Sequence, residues 1–99
     1  MLNFDISQRA ISNLLGIYAY CAENFGKLVA ENVRQKYEAT FLLLRKFPDI
    51  GKKENSKYRS FPVNNRGRIL YYIEKNTLFI VTIWDMRINP QSIDELIGK

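Results

Sequence analysis

The sequence of 99 residues contains no histidine and only one cysteine, Cys21. Without histidine, no side chain ordinarily exchanges a proton near neutral pH, so acid–base catalysis would have to use lysine, arginine, tyrosine or a carboxylate. A single cysteine cannot form an internal disulfide, and nothing points to an oxidising compartment. One thiol without an imidazole almost excludes a structural zinc site, and we expect no metal and no other cofactor.

Long apolar runs are absent as well. No stretch approaches the roughly 20 apolar residues of a membrane-spanning helix. The first ten residues, MLNFDISQRA, have neither the basic start nor the apolar run of a signal peptide. We therefore expect a cytoplasmic protein without a membrane partner. The chain length and the hydrophobic content of 46% predict one globular domain over residues 1–99.

The positive charge is concentrated in one segment. Between residues 51 and 68 lie six basic residues and one acidic residue, so this window carries a net +5, which equals the net charge of the whole chain. Such clustering favours a polyanionic or acidic partner, although a solvated charged loop is equally compatible with it. The basic residues are Lys52, Lys53, Lys57, Arg59, Arg66 and Arg68.

The first half of the chain predicts one strand and two helices. Apolar and polar residues alternate from Leu2 to Ile6, which is typical of a half-buried strand, and Ser7 follows as a helix N-cap. Helical spacing continues to Gly26, which can end the first helix. A second helix begins near Lys27 and stops before Pro48. We expect its core-facing stripe to comprise Val29, Val33, Tyr37, Phe41 and Leu44.

The second half predicts three strands, over residues 58–63, 68–74 and 77–84. Pro62 cannot donate a ladder hydrogen bond, so its strand should lie at a sheet edge or be interrupted there. The two residues Lys75-Asn76 separate the last two strands, which indicates a hairpin. The last strand alternates little and should be central, which favours a core position for Trp84 over an exposed anchor for a partner. The order β-α-α-β-β-β predicts an α+β fold with a helical hairpin packed on a mostly antiparallel sheet.

Several motifs occur in a fixed order along the chain. The first helix reads S-x-x-A-x-x-N-L-x-x-I-Y-x-Y from Ser7 to Tyr20, and the second ends in L-x-x-F-P-x-I-G from Leu44 to Gly51. Four shorter motifs follow: Tyr58-Arg59, Ile69 to Ile73, Leu78 to Ile83, and the R-x-x-P ending within Asp85 to Pro90. Together they resemble the RelE/ParE toxin superfamily over nearly the whole chain.

The resemblance implies the toxin of a type II toxin–antitoxin, or plasmid-stabilisation, system that inhibits bacterial growth. The toxin's expected partner is a cognate antitoxin whose acidic or amphipathic tail wraps it, and operator DNA is bound only through the antitoxin. An extended acidic peptide suits a basic surface and an edge strand, by strand addition or by a helix in a groove. The family contains two activities, ParE-like poisoning of DNA gyrase and RelE-like cleavage of messenger RNA on the ribosome.

Metal-free RNA cleavage needs a group that accepts the 2′-OH proton and cations that stabilise the phosphate. If the chain is such an endoribonuclease, the resemblance makes Arg59 and Arg87 the catalytic candidates. We expect Lys52, Lys53, Lys57, Arg66 and Arg68 to bind RNA or a protein partner, although a solvated loop is the simpler interpretation of the first two.

The C-terminal acid–base residue of RelE-like nucleases, commonly Tyr or His, is missing, since no tyrosine follows Tyr72. Tyr71 and Tyr72 lie on opposite faces of their predicted strand, so at least one of them should serve packing. Glu54 or Glu74 could act as the base, but their spacing does not argue for it. We therefore predict a gyrase block, with the nuclease and an inactive, antitoxin-binding regulatory member as alternatives.

Overall fold

The computed structural model describes residues 1–86, in which the predicted strands and helices occur in the predicted order, with one additional short strand at residues 52–53. Two α-helices pack on a five-stranded mixed sheet, which confirms the α+β fold. The strand order is β1-β5-β4-β3-β2; β1 is parallel to β5 and the other pairs are antiparallel. The elements are β1 (Asn3–Ile6), α1 (Gln8–Phe25), α2 (Lys27–Lys46), a 3₁₀ turn (Pro48–Ile50), β2 (Lys52–Lys53), β3 (Arg59–Pro62), β4 (Gly67–Glu74) and β5 (Thr77–Asp85).

Ser7 caps α1 as predicted. Its Oγ accepts a hydrogen bond from the N–H of Ala10 at 3.0 Å, which satisfies one of the free donors of the first turn. The same hydroxyl donates to the carbonyl of Val81 at 2.6 Å. Gly26, with φ of 93°, separates α1 from α2 in a backbone conformation that favours glycine. Because the Ser7 hydroxyl donates to the Val81 carbonyl, the N-cap of α1 also ties the helical hairpin to β5.

The β4–β5 hairpin confirms the prediction from Lys75-Asn76. Both residues have positive φ, 48° and 63°, as a two-residue turn of type I′ requires. Further along, the pairing slips by one residue, because Tyr71 faces Ile80 whereas Leu70 faces Thr82. Val81 is the extra residue of this bulge. The bulge changes the alternation, so that Ile80 and Ile83 both reach the core.

The core lies between the helices and the sheet. Tyr37 and Leu44 of α2 are fully buried in it, and Val33 and Phe41 pack against it as partly buried residues. Val29 was predicted to be core and is 38% exposed, so that prediction is wrong. Phe25 and Leu28 are exposed as well, so the apolar residues on both sides of Gly26 lie outside the core. Trp84 is buried, as predicted.

The lysine pair at 52–53, predicted as loop, forms the short edge strand β2. It pairs only with Ser60 and Arg59 of β3. Pro62 lies beyond these two pairs, so its missing N–H removes no bond to β2, in agreement with the predicted interruption. Neither helix within residues 1–86 is long and apolar enough to cross a membrane.

Candidate functional site

The sheet divides the candidate residues between its two faces. Arg59 pairs with Tyr71, which belongs to the core beneath the helices, so Arg59 lies on the helix side. Its neighbour Ser60 pairs with Leu70, and both therefore lie on the opposite face. We call this opposite face the outer face. The basic residues of the 51–68 window are thus not one continuous cluster.

Arg59 binds the main chain of the turn that leads out of α2. Its Nη1 donates to the carbonyl oxygens of Asp49 at 3.2 Å and Gly51 at 2.9 Å. Its Nη2 lies 3.7 Å from the Asp49 carboxylate. The side chain of Arg59 is 28% exposed whereas that of Asp49 is 88% exposed, so the ion pair itself is weak and the carbonyl contacts hold the arginine.

The Tyr71 hydroxyl binds the same turn. It donates to the carbonyl of Pro48 at 2.7 Å and accepts from the N–H of Gly51 at 3.0 Å. A Cβ at residue 51 would lie 2.2 Å from this hydroxyl, so the turn requires glycine there. Burial raises the pKa of Tyr71, which keeps the hydroxyl protonated. The expectation that at least one of the two tyrosines serves packing is thereby confirmed.

On the outer face, Ser60 connects a carboxylate to a guanidinium. The buried Ser60 Oγ donates a short hydrogen bond to Glu54 and accepts one from Nη2 of Arg68 at 3.1 Å. Lys52 pairs with Ser60 across the ladder, so it lies on the same face, and it is exposed. A carboxylate that can take a proton and cations that can hold a phosphate or carboxylate are therefore close together.

Beside this cluster, Lys57 packs against aromatic rings. Its Nζ lies 4.5 Å from the centroid of Tyr72 and 5.3 Å from that of Tyr58. Tyr72 stacks on Phe79, with centroids 4.9 Å apart and planes 14° apart, and meets Tyr58 edge-on. These rings, with Asp5 at the rim, line a groove of about 300 Å³. We name it the aromatic groove.

A short loop positions Lys57 and Tyr58. The Asn55 side chain accepts from the N–H groups of Lys57 at 2.8 Å and Tyr58 at 2.7 Å. The N–H of Glu54 donates to the carbonyl of Tyr58 at 2.9 Å, which closes the loop. The loop between β2 and β3 is thus ordered by its own hydrogen bonds.

The remaining candidates lie elsewhere. Lys53 pairs with Arg59, on the helix side of the sheet, and is exposed. Arg66 lies in the β3–β4 turn, at a depression of about 460 Å³ that Lys36 also lines. Arg87 falls outside the described residues. Three of the seven candidates, Lys52, Lys57 and Arg68, therefore share the outer face.

Two further features were not identified from the sequence. The aromatic residues Tyr58, Tyr72 and Phe79 were interpreted only as strand residues, although the two-residue turn at 75–76 sets Tyr72 opposite Phe79. Glu54 was named as a possible base, but no spacing in the sequence pointed to it, because it is linked to Arg68 only through the hydrogen bonds of Ser60. Within residues 1–86, no three histidine, cysteine or carboxylate side chains are grouped so that they could hold a metal ion.

The chain matches the family model of the ParE toxin of the type II toxin–antitoxin system parDE, over residues 4–90. No curated protein matches it in sequence. Among solved structures, a chain of the chromosomal ParDE system from P. aeruginosa superposes with a TM-score of 0.75 at 16% identity, covering 86% of this chain and 96% of that one.

Two other solved structures share the fold with lower scores. A YoeB dimer from Staphylococcus aureus has a TM-score of 0.57 at 20% identity, covering 84% of this chain and 94% of that one. A chain of the DinJ–YafQ complex from E. coli has a TM-score of 0.53 at 14% identity, with coverages of 89% and 97%. The family match over residues 4–90 shows that the chain belongs to the ParE toxin family of type II toxin–antitoxin systems.

Proposed function

We propose that this toxin stops growth by a ParE-like block of DNA gyrase. The observation that carries the proposal is the match to the ParE family model over residues 4–90. A gyrase block requires a binding surface rather than a catalytic set. The outer face offers one, because aromatic residues and arginine are enriched in protein interfaces. Tyr58, Tyr72 and Arg68 supply these residue types.

One observation favours the second candidate, RelE-like cleavage of messenger RNA. Glu54 and Arg68 both hydrogen-bond Ser60, and Lys52 lies on the same face. In a nuclease, the carboxylate would accept the 2′-OH proton and the cations would stabilise the phosphate. Solved YoeB and YafQ structures share the fold, which is compatible with either activity.

The proposed partner that neutralises the toxin is a cognate antitoxin, since the structures with this fold include the YoeB–YefM and DinJ–YafQ complexes. We place its extended segment at the edge strand β1. Asn3 and Ser7 donate their N–H groups towards β5, so alternation directs those of Phe4 and Ile6 away from the sheet, where an added strand can pair.

A pocket of about 300 Å³ lies next to this edge and could receive an apolar side chain of the added strand. Phe4 and Phe41 form its floor with ring centroids 5.3 Å apart, and Leu42 is 43% exposed beside them. The Arg45 guanidinium lies 5.9 Å from the centroid of the Phe4 ring, and Glu38 also lines the pocket. The pocket therefore combines apolar contact with one charged group of each sign.

The first test is to express the chain without a partner in bacteria and to pulse-label DNA and protein synthesis within minutes. We expect DNA synthesis to fall first, with an SOS response, and purified gyrase to lose supercoiling activity when the protein is added. An early fall in protein synthesis with new messenger RNA ends would instead establish the nuclease. Unchanged growth would identify an antitoxin-binding regulatory member.

A pair of outer-face variants separates the two activities further. Glu54→Gln keeps an acceptor for Ser60 but removes the base, so a nuclease should lose activity by about 10²-fold or more, whereas a gyrase block should change little. Arg68→Ala should weaken either activity. Lys75→Ala, in the β4–β5 turn away from the outer-face cluster, is the control and should leave growth inhibition unchanged.

A further inference from the structure

We propose that Arg59 and Tyr71 act together as positioning residues. From the helix side of the sheet they hold the turn at residues 48–51, and we call these two side chains the clamp. The position of this turn then fixes the position of β2 and of the 54–58 loop on the outer face. The inference rests on the proposed function only in assigning growth inhibition to that face. It gives Arg59 a role different from direct contact with a substrate or target.

The contacts of the turn support this role. Between α2 and β2, three main-chain carbonyls and one N–H bind to just two side chains. The Tyr71 hydroxyl donates to the Pro48 carbonyl and accepts from the Gly51 N–H, and the Arg59 guanidinium donates to the carbonyls of Asp49 and Gly51. The Pro48 and Gly51 contacts are buried or partly buried, and main-chain groups that leave water need such partners, so both side chains stabilise this turn conformation.

The turn connects directly to the functional residues. Gly51 is followed by β2, whose two residues pair only with Ser60 and Arg59 and therefore add little stability of their own. Beyond β2 come Glu54, which binds Ser60, and Lys57, which packs on Tyr72. A displaced turn would thus shift β2 and disturb both outer-face contacts.

Arg59 itself is turned away from that face. Its ladder partner is Tyr71, in the core on the helix side, and its Nη1 is already shared between two carbonyls. Arg68, in contrast, lies on the outer face and contacts Ser60. The two arginines therefore have different roles. Arg68 is part of the outer face, whereas Arg59 positions the turn that leads to β2 and the 54–58 loop.

The experiment compares Arg59→Ala, Tyr71→Phe and their combination with Arg68→Ala in the full-length chain. Amide hydrogen exchange over residues 50–58 and the ¹H–¹⁵N shifts of Lys57 and Tyr58 report the position of the loop directly. Growth inhibition and the inhibition of synthesis report activity, and antitoxin binding with thermal unfolding shows that each variant folds. Arg59→Lys tests rescue, since an ammonium can still donate to the Gly51 carbonyl.

We expect Arg59→Ala and Tyr71→Phe each to speed exchange over residues 50–58 by roughly five- to tenfold and to reduce activity in parallel. The double variant should add less than the sum, because both act on one turn. Arg59→Lys should recover part of both readouts. Arg68→Ala should reduce activity while exchange over residues 50–58 stays close to the wild type.

Two results would overturn the inference. If Arg59→Ala abolishes activity while exchange and shifts stay unchanged and Tyr71→Phe is silent, Arg59 touches the target directly. If both variants loosen the loop but inhibit growth like the wild type, the clamp serves stability alone. Early loss of protein synthesis would refute the gyrase block without affecting this comparison. In a chain without toxicity, unchanged shifts in both variants would still refute the clamp.

Discussion

At the scale of the residue, Tyr71 couples a buried hydroxyl to the free energy of unfolding. Burial is the main cause of its raised pKa, while the Gly51 N–H and the nearby Arg59 charge act in the opposite direction. Because the folded state favours the protonated hydroxyl, its contribution is complete below the tyrosine pKa of the unfolded chain, about 10. It is lost as the pH rises through the higher folded pKa.

We therefore predict that the difference in unfolding free energy between the wild type and Tyr71→Phe is constant from about pH 7 to pH 9 and shrinks above about pH 10. Urea unfolding at several pH values measures it, and the subtraction removes the other tyrosines common to both chains. A difference that grows with pH would show that the hydroxyl ionises more easily in the folded state.

The residue scale is also where sequence reasoning reached least far. The alternation of β3 correctly puts Arg59 on the face shared with Phe61, yet it does not reveal that the guanidinium binds main-chain carbonyls ten and eight residues earlier. The Glu54–Ser60–Arg68 link joins three segments and depends on β2, whose two lysines carry no strand signal. Neither contact has a periodicity that could predict it.

At the scale of the element, the helices and the hairpin follow from local chemistry. Ser7, Gly26 and the 75–76 turn mark their ends as the sequence indicates. The two-residue turn also fixes which residues of β4 and β5 face each other up to Tyr71, so the Tyr72–Phe79 pair was open to prediction. The bulge at Val81 was not, because no residue type there demands an extra position.

Substitution by alanine should have opposite effects on the unfolding free energy at two glycines. Gly16 lies within α1, where an added Cβ meets no atom within 4 Å, so Gly16→Ala should raise the unfolding free energy by about 0.5–1 kcal/mol. Gly51→Ala should lower it, because its Cβ would collide with the Tyr71 hydroxyl. Chemical denaturation of both variants provides the measurement. A stable Gly51→Ala or a weakened Gly16→Ala would contradict the geometry.

At the scale of the whole molecule, the sheet has two different edges. β2 is two residues long and follows the turn at residues 48–51. β1 instead has the N–H groups of Phe4 and Ile6 directed away from the sheet, next to an apolar pocket. A short or lysine-rich edge discourages pairing with another chain, so β1 is the better place for an added strand. This asymmetry is the structural basis for placing the antitoxin at β1.

We predict that Leu42→Glu lowers the affinity for the cognate antitoxin by about tenfold or more, because it puts a charge into the pocket beside β1. Leu28→Glu is the matched control: the same change on the same helix, at a residue that is 76% exposed near the hairpin tip. Calorimetry with the purified antitoxin decides. Equal effects of the two variants would place the antitoxin elsewhere on the helices.

The parallel pairing of β1 with β5 has a consequence for the protein while it is being synthesised. β1 is the first of the described strands, but its only ladder partner within residues 1–86 is β5, the last of the described strands to be synthesised, and the N-cap of α1 also binds β5. The helical hairpin and the β2–β3–β4 pairing can form early from local contacts, whereas the pairing of β1 must wait for β5. A nascent chain therefore cannot complete the β1–β5 pairing or the aromatic groove until β5, which ends at Asp85, has left the ribosome.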